Sequence, residues 1–185
     1  MSGLDDLREI ALDQHGFVTR GQAIAAGVTD ADLSKMVSRG RIGRLVRGVY
    51  RVPGVAQTPW DAYHLPVLWT GETRACLSHE TALEVWEVTE SLPEVKHVTV
   101  GRGRRVRRSD GEGFVVHYQD LEPRERAWCQ GLPVVVVSTA LVQCVDYGVS
   151  TRVLKRAGEL GLQRGLLTST QHELFLSALA HRDGV

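Results

Sequence analysis

Between Lys35 and Arg51 the chain carries six basic residues (Lys35, Arg39, Arg41, Arg44, Arg47 and Arg51) and no acidic one. Cations spaced a few residues apart do one thing well: they neutralise phosphates and release the counterions held there, a binding chemistry that breaks no bond. On its own such a run is usually a solvated face. A denser cluster follows later, where Arg102, Arg104, Arg105, Arg107 and Arg108 place five arginines in seven residues. Its flanking glycines fit two readings equally, a solvated loop between strands or a flexible loop that folds onto a phosphate backbone or another partner.

Other reactive residue types are sparse. His79 stands beside Glu80, but neighbours on a helix point about 100° apart, so they form no acid–base pair on one face and a structural role is expected. Cys76, Cys129 and Cys144 are widely spaced, with no C-x-x-C pair. They read as buried, reduced thiols, without a disulfide framework or a zinc ribbon. G-R-G-R-R-V at 101–106 lacks the Gly-Lys-Ser/Thr ending of a P-loop. Nuclease chemistry needs carboxylates and a lysine gathered around a metal, and none of Lys35, Lys96 and Lys155 follows such a pattern. Nucleotide transfer would want a Gly-Ser turn followed by paired aspartates, which is lacking. The expectation is a binding protein with no catalytic residue, metal or cofactor.

The first basic run sits on elements suited to carry it. Leu4 to Gln14 has the three-and-four apolar spacing of an amphipathic helix, and His15-Gly16 stops it, with His15 facing solvent. Phe17-Val18 reads as an extended link. Thr19 caps a second helix, and Gln22 three residues on completes a capping box. Gly27 ends that helix in the left-handed conformation, and Thr29 with Asp32 caps a third helix, about Asp30 to Arg39. Two capped helices at so short a turn form a helix-turn-helix. On the third helix Leu33, Met36 and Val37 face inward. Ser34, Lys35, Ser38 and Arg39 face outward, where short, polar and basic side chains can reach base edges and phosphates. Arg41 to Val52 then reads as a β-hairpin around Arg47-Gly48, the wing. The expected contacts with double-stranded DNA are Thr19, Arg20, Thr29, Ser34, Lys35, Ser38, Arg39, Arg41, Arg44, Arg47 and Arg51.

Two stretches of this region, Phe17-Val-Thr-Arg-Gly-Gln-Ala and Arg47-Gly-Val-Tyr-Arg-Val-Pro-Gly, resemble the N-terminal winged-helix domain of the AbiEi family, the antitoxins of type IV abortive-infection toxin–antitoxin systems. The likeness covers about Leu7 to Gly54. It implies a transcriptional repressor of its own operon that binds an inverted-repeat operator, as a dimer or as a cooperative pair. It also implies a partner gene encoding a nucleotidyltransferase toxin, countered without a stable complex, and a part in phage defence. Ser78-His-Glu-Thr-Ala-Leu resembles a stretch that follows the winged helix in the family. Ser138-Thr-Ala-Leu-Val-Gln-Cys-Val-Asp keeps the family's strand-to-helix pattern and Asp146 but lacks its internal arginine.

The remainder reads as an α+β fold: an N-terminal winged helix-turn-helix domain, 1–56, and a mixed C-terminal domain, 57–185, with a small sheet and several helices. Thr58 and Pro59 open a helix to Trp69 that Pro66 should kink or split. Ser78 to Trp86 is a helix, 94–101 and Phe114 to Tyr118 are strands, and an Arg-rich helical turn leads to Trp128. An apolar strand spans Leu132 to Ser138, Ser138 or Thr139 caps a helix, and two more follow at 151–162 and 170–180. Lys+Arg and Asp+Glu balance at 22 each, so only local clustering bears on partners. No apolar h-region or membrane-length stretch occurs, and a cytoplasmic protein without a membrane partner is expected. Two rival readings stay open: an interaction module that grips the toxin or another acidic partner directly, and a solitary ligand-responsive regulator.

Overall fold

The computed structural model describes residues 3–90, 93–106 and 110–184, which form eight α-helices and two sheets. The chain is α+β, as its patterning indicates. It separates into two units, Met1–Thr73 with Val106–Glu112, and Arg74–Arg105 with Gly113–Val185. The division falls one helix later than the linker at 53–59 suggests.

The first unit runs α1 (Gly3–Leu12), β1 (Phe17–Thr19), α2 (Arg20–Ala25), α3 (Asp30–Ser38), β2 (Gly43–Val46), β3 (Val49–Arg51) and α4 (Asp61–Thr70). Leu7, Ala11, Val18, Ala23, Val28, Leu33, Ile42 and Val52 form its core. These are the inward positions of the periodic pattern, so helical spacing translates directly into packing. The link at Phe17-Val18 is a true strand: β1 pairs antiparallel with β3, and β3 with β2, in the order β1-β3-β2. Leu12, for all its hydrophobicity, lies outside this core and is 68% exposed.

The helix ends obey their local chemistry. Thr19 and Gln22 form the reciprocal capping box, the Thr19 N–H donating to Gln22 Oε1 at 2.9 Å and the Gln22 N–H to Thr19 Oγ1 at 3.2 Å. Gly27, at φ 83, provides the left-handed turn, and the Val28 N–H closes back onto the Ala23 carbonyl at 2.9 Å. Thr29 caps α3 through the Asp32 N–H at 3.2 Å. Pro66 does not split α4, which runs through it as one helix. That helix starts at Asp61, later than the Thr58-Pro59 pair suggests; Thr58 closes a preceding turn, its carbonyl accepting from the Asp61 N–H at 3.1 Å while its hydroxyl donates to Asp61 Oδ1 at 3.0 Å.

The second unit runs β4 (Cys76–Leu77), α5 (His79–Val85), β5 (Lys96–Val100), β6 (Phe114–Tyr118), β7 (Arg126–Cys129), β8 (Leu132–Val135), α6 (Val137–Tyr147), α7 (Thr151–Gln163) and α8 (Ser169–Asp183). Its sheet has the order β6-β5-β4-β8-β7 and mixes parallel pairs (β5 with β6, β4 with β8) with antiparallel ones. Two sequence expectations yield to tertiary pairing here. The helical turn expected before Trp128 is only a 3-10 turn at Pro123–Glu125, because Arg126–Cys129 satisfies its backbone by pairing with Leu132–Val135. The following helix begins at Val137, ahead of the expected Ser138 or Thr139 cap, with Val136 in extended conformation before it. Cys76, Cys129 and Cys144 are all free thiols.

Candidate nucleic-acid interface

Ser34, Lys35 and Ser38 on α3 and Arg39 at its C-cap all lie exposed, opposite Leu33, which is 1% exposed. The i, i+3, i+4 spacing that buries Leu33 against the core turns the other face outward, so one helix both anchors itself and offers a polar edge. Ser38 donates its hydroxyl to the Lys35 carbonyl at 3.0 Å, which keeps its oxygen lone pairs available to an incoming donor. Asp6 and Asp32 line a groove shared with Lys35, Arg39 and Arg41. Acid is therefore present at the N-terminal end of this face, and the strongest positive charge lies toward its C-terminal end.

Beyond α3 the wing carries Arg44 on β2 and Arg47 at the turn, both exposed like Arg41 ahead of them. Gly48, at φ 79, makes the turn, which a β-carbon would strain. The Arg47 backbone N–H donates to the carboxylate of Asp110, whose other oxygen accepts from Trp69 Nε1 at 3.0 Å. Gly111 lies on that indole so closely that a β-carbon would come within 2.4 Å of it.

Four of the expected contacts are occupied otherwise. Thr19 and Thr29 are caps whose hydroxyls donate to Gln22 Oε1 at 2.9 Å and Asp32 Oδ2 at 2.6 Å. Arg20 is exposed but forms a two-pronged pair with Asp30, at 2.7 and 2.5 Å. Donating to Asp30 raises the Arg20 pKa further, and accepting from Arg20 lowers that of Asp30. Arg51 turns inward: its side chain is only 14% exposed, donates to Asp61 Oδ2 at 2.5 Å and to the Val55 carbonyl at 3.3 Å, and stacks 4.9 Å over Phe17. Burial alone would raise the Asp61 pKa, but the hydrogen bonds from Arg51 and Thr58 outweigh it and hold the carboxyl below its usual range. Arg51 thus braces α4 against the sheet of its own unit. The register that sets Arg51 opposite Gly43 and Arg44 opposite Tyr50 puts the two arginines on opposite faces of the hairpin, which is the signal that sets Arg51 apart from Arg44.

His15, expected in solvent, is half-buried: its ring lies 4.1 Å from that of His64, and its Nδ1 is 3.4 Å from Thr58 Oγ1. In the second arginine cluster Arg102, Arg104 and Arg105 are exposed, and the Arg102 N–H donates to Asp120 Oδ1 at 3.0 Å. Arg107 and Arg108 lie outside the described residues. His79 and Glu80 do not act together; His79 instead meets two histidines distant in sequence, which adjacency along the chain could not reveal.

The first unit is, on this geometry, a winged helix-turn-helix domain of the transcription-regulator kind. Residues 5–53 match the family described as "Transcriptional regulator, AbiEi antitoxin", the family that the hairpin ending resembles. The match spans the first unit through the wing and supports a DNA-binding regulator or antitoxin in general terms. Among solved structures, the RV2827C protein from Mycobacterium tuberculosis is similar over 96% of this chain and 82% of that chain, with a TM-score of 0.48 and 14% identity. No curated protein matches the chain.

Proposed function

We propose that the chain is the DNA-binding antitoxin of a type IV toxin–antitoxin operon and represses that operon by binding inverted repeats in its promoter. The observation that carries this reading is the outward face of α3, Ser34, Lys35, Ser38 and Arg39, continued by exposed Arg41, Arg44 and Arg47 with no acid between 35 and 51. α3 enters the major groove, with Lys35 and Arg39 at its edge, and the wing arginines hold flanking phosphates. Two copies occupy the two half-sites. The protein acts in the cytoplasm without catalysis, and the nucleotidyltransferase toxin is opposed functionally rather than through a stable complex. Removing Lys35 and Arg39 together (Lys35→Ala with Arg39→Ala) deletes two phosphate contacts, so the slope of log affinity against log salt for promoter DNA falls by about two. A titration with an unchanged slope would remove α3 from the interface.

A further inference from the structure

Three histidines from three elements meet in the second unit: His79 opens α5, His97 lies on β5 and His117 on β6, and one nitrogen of each is within 4.8 Å of the other two. The parallel register that sets Thr99 opposite His117 puts His117 on the same face as His97, diagonally across from it. One side-chain and one backbone hydrogen bond fix that strand against the start of α5: the His97 N–H donates to Thr81 Oγ1 at 2.8 Å, and the Ser78 N–H to the His97 carbonyl at 3.1 Å. His79 is held at φ 53, uncommon for a residue with a side chain, while its N–H donates to Gln143 Oε1 at 3.3 Å and Gln143 Nε2 donates to Gln119 Oε1 at 2.7 Å. Its ring stacks on that of His117 at 3.6 Å, and Tyr147 stands edge-on to all three at 5.6, 5.0 and 5.4 Å.

Packing alone does not require imidazoles here, since apolar side chains would fill the same volume without burying polar nitrogens. Burial, with the neighbouring histidines adding to it, lowers the pKa of His79 to about 3; burial, with His117 adding to it, lowers His97 to about 4 and burial also lowers His117, so at neutral pH the cluster presents lone pairs rather than charge. His97 Nδ1 and His117 Nε2 are 2.9 Å apart, at hydrogen-bond distance. A metal–nitrogen bond of about 2.0 to 2.1 Å in a tetrahedral shell sets neighbouring nitrogens about 3.3 Å apart. The pair is close to that spacing already, and the third ring has to close and tilt. His79 Nδ1 is 3.0 Å from Ser78 Oγ, a partner of the kind that orients a ligating imidazole and leaves its Nε2 for the ion.

We propose that His79, His97 and His117 bind one divalent transition-metal ion of the zinc class, whose preference for neutral imidazole suits three such ligands, with the fourth position taken by water. The inference is independent of the DNA-binding reading and assigns to the second unit a ligand that sequence spacing does not reveal. Untagged full-length protein, stripped with a chelator, is titrated with Co2+ and then with Zn2+. The expected result is one Co2+ per chain, the visible absorption of a four-coordinate site with three nitrogens and one water oxygen, three paramagnetically shifted imidazole N–H signals, and loss of the spectrum as Zn2+ displaces the ion. His117→Gln, at the half-buried ligand, weakens binding by about tenfold or more, whereas His181→Gln, at an exposed histidine, leaves it unchanged. Wild-type protein that takes up no Co2+, coordination by fewer than three imidazoles, or equal affinity in His117→Gln overturns the proposal. The first two readouts need no variant to fold.

Discussion

Two single residues in the first unit act against the reading their type invites. Arg51 belongs by sequence to a basic run and by structure to a brace, its guanidinium held between Asp61 and the Phe17 ring. Replacing it by Met leaves the Asp61 carboxylate without its main partner, and a destabilisation of about 2 kcal/mol is expected, less than for a fully buried pair because both groups retain some exposure. The same variant leaves the salt slope of DNA binding unchanged; a slope reduced by about one would return Arg51 to the interface. His64 is the second case. Burial, with His15 beside it, lowers its pKa from 6.5 to about 4 against a smaller raising pull from Asp61. Above pH 6.5 it is neutral folded or unfolded, and its stability is fully present. As pH falls from 6.5 toward 4 the unfolded chain binds a proton that the folded chain refuses, and stability declines by at most about 1.4 kcal/mol per unit. The loss in urea midpoint between about pH 7.5 and about pH 5 should therefore be smaller in His64→Gln than in wild type. Equal losses would mean that the imidazole titrates normally.

At the level of elements, the helix-turn-helix is the most legible part of the chain because its signals are local. The Thr19/Gln22 box, the left-handed Gly27 and the Thr29 cap each depend on residues within four positions, and all three form as read. Capping and DNA contact make different demands on Thr19, and the structure engages its hydroxyl with Gln22. Thr19→Ala should cost roughly 1 kcal/mol in stability and leave the salt slope intact. A weakened slope with unchanged melting would reverse that assignment. The strand at Arg126–Cys129 was not legible for the opposite reason: Pro123, Arg124 and Arg126 suit a helical turn, and only pairing with Leu132–Val135 makes it a strand. Val136, which precedes α6 without a side-chain cap, likewise gives no sequence signal.

Across the whole molecule, the first unit runs to Thr73 and takes in Val106–Glu112 as well, so the expected linker at 53–59 lies inside it. A fragment ending at Thr73 keeps the Arg51–Asp61 pair and the His15–His64 contact, and one ending at Ala56 loses both. The longer fragment should melt cooperatively and several degrees higher, as monitored by circular dichroism. Equal melting temperatures would place the boundary at the linker. The sequence by itself determined the winged helix, its capped turns and the outward face of α3, because caps, glycine turns and helical periodicity act over a few neighbouring residues. Only the tertiary structure decided that Arg51 turns inward onto Asp61, that α4 belongs to the first unit, and that His79, His97 and His117 share one place in the second. These outcomes depend on strand register and on pairings between distant segments, and no local pattern in the chain encodes which buried side chains such pairings bring together.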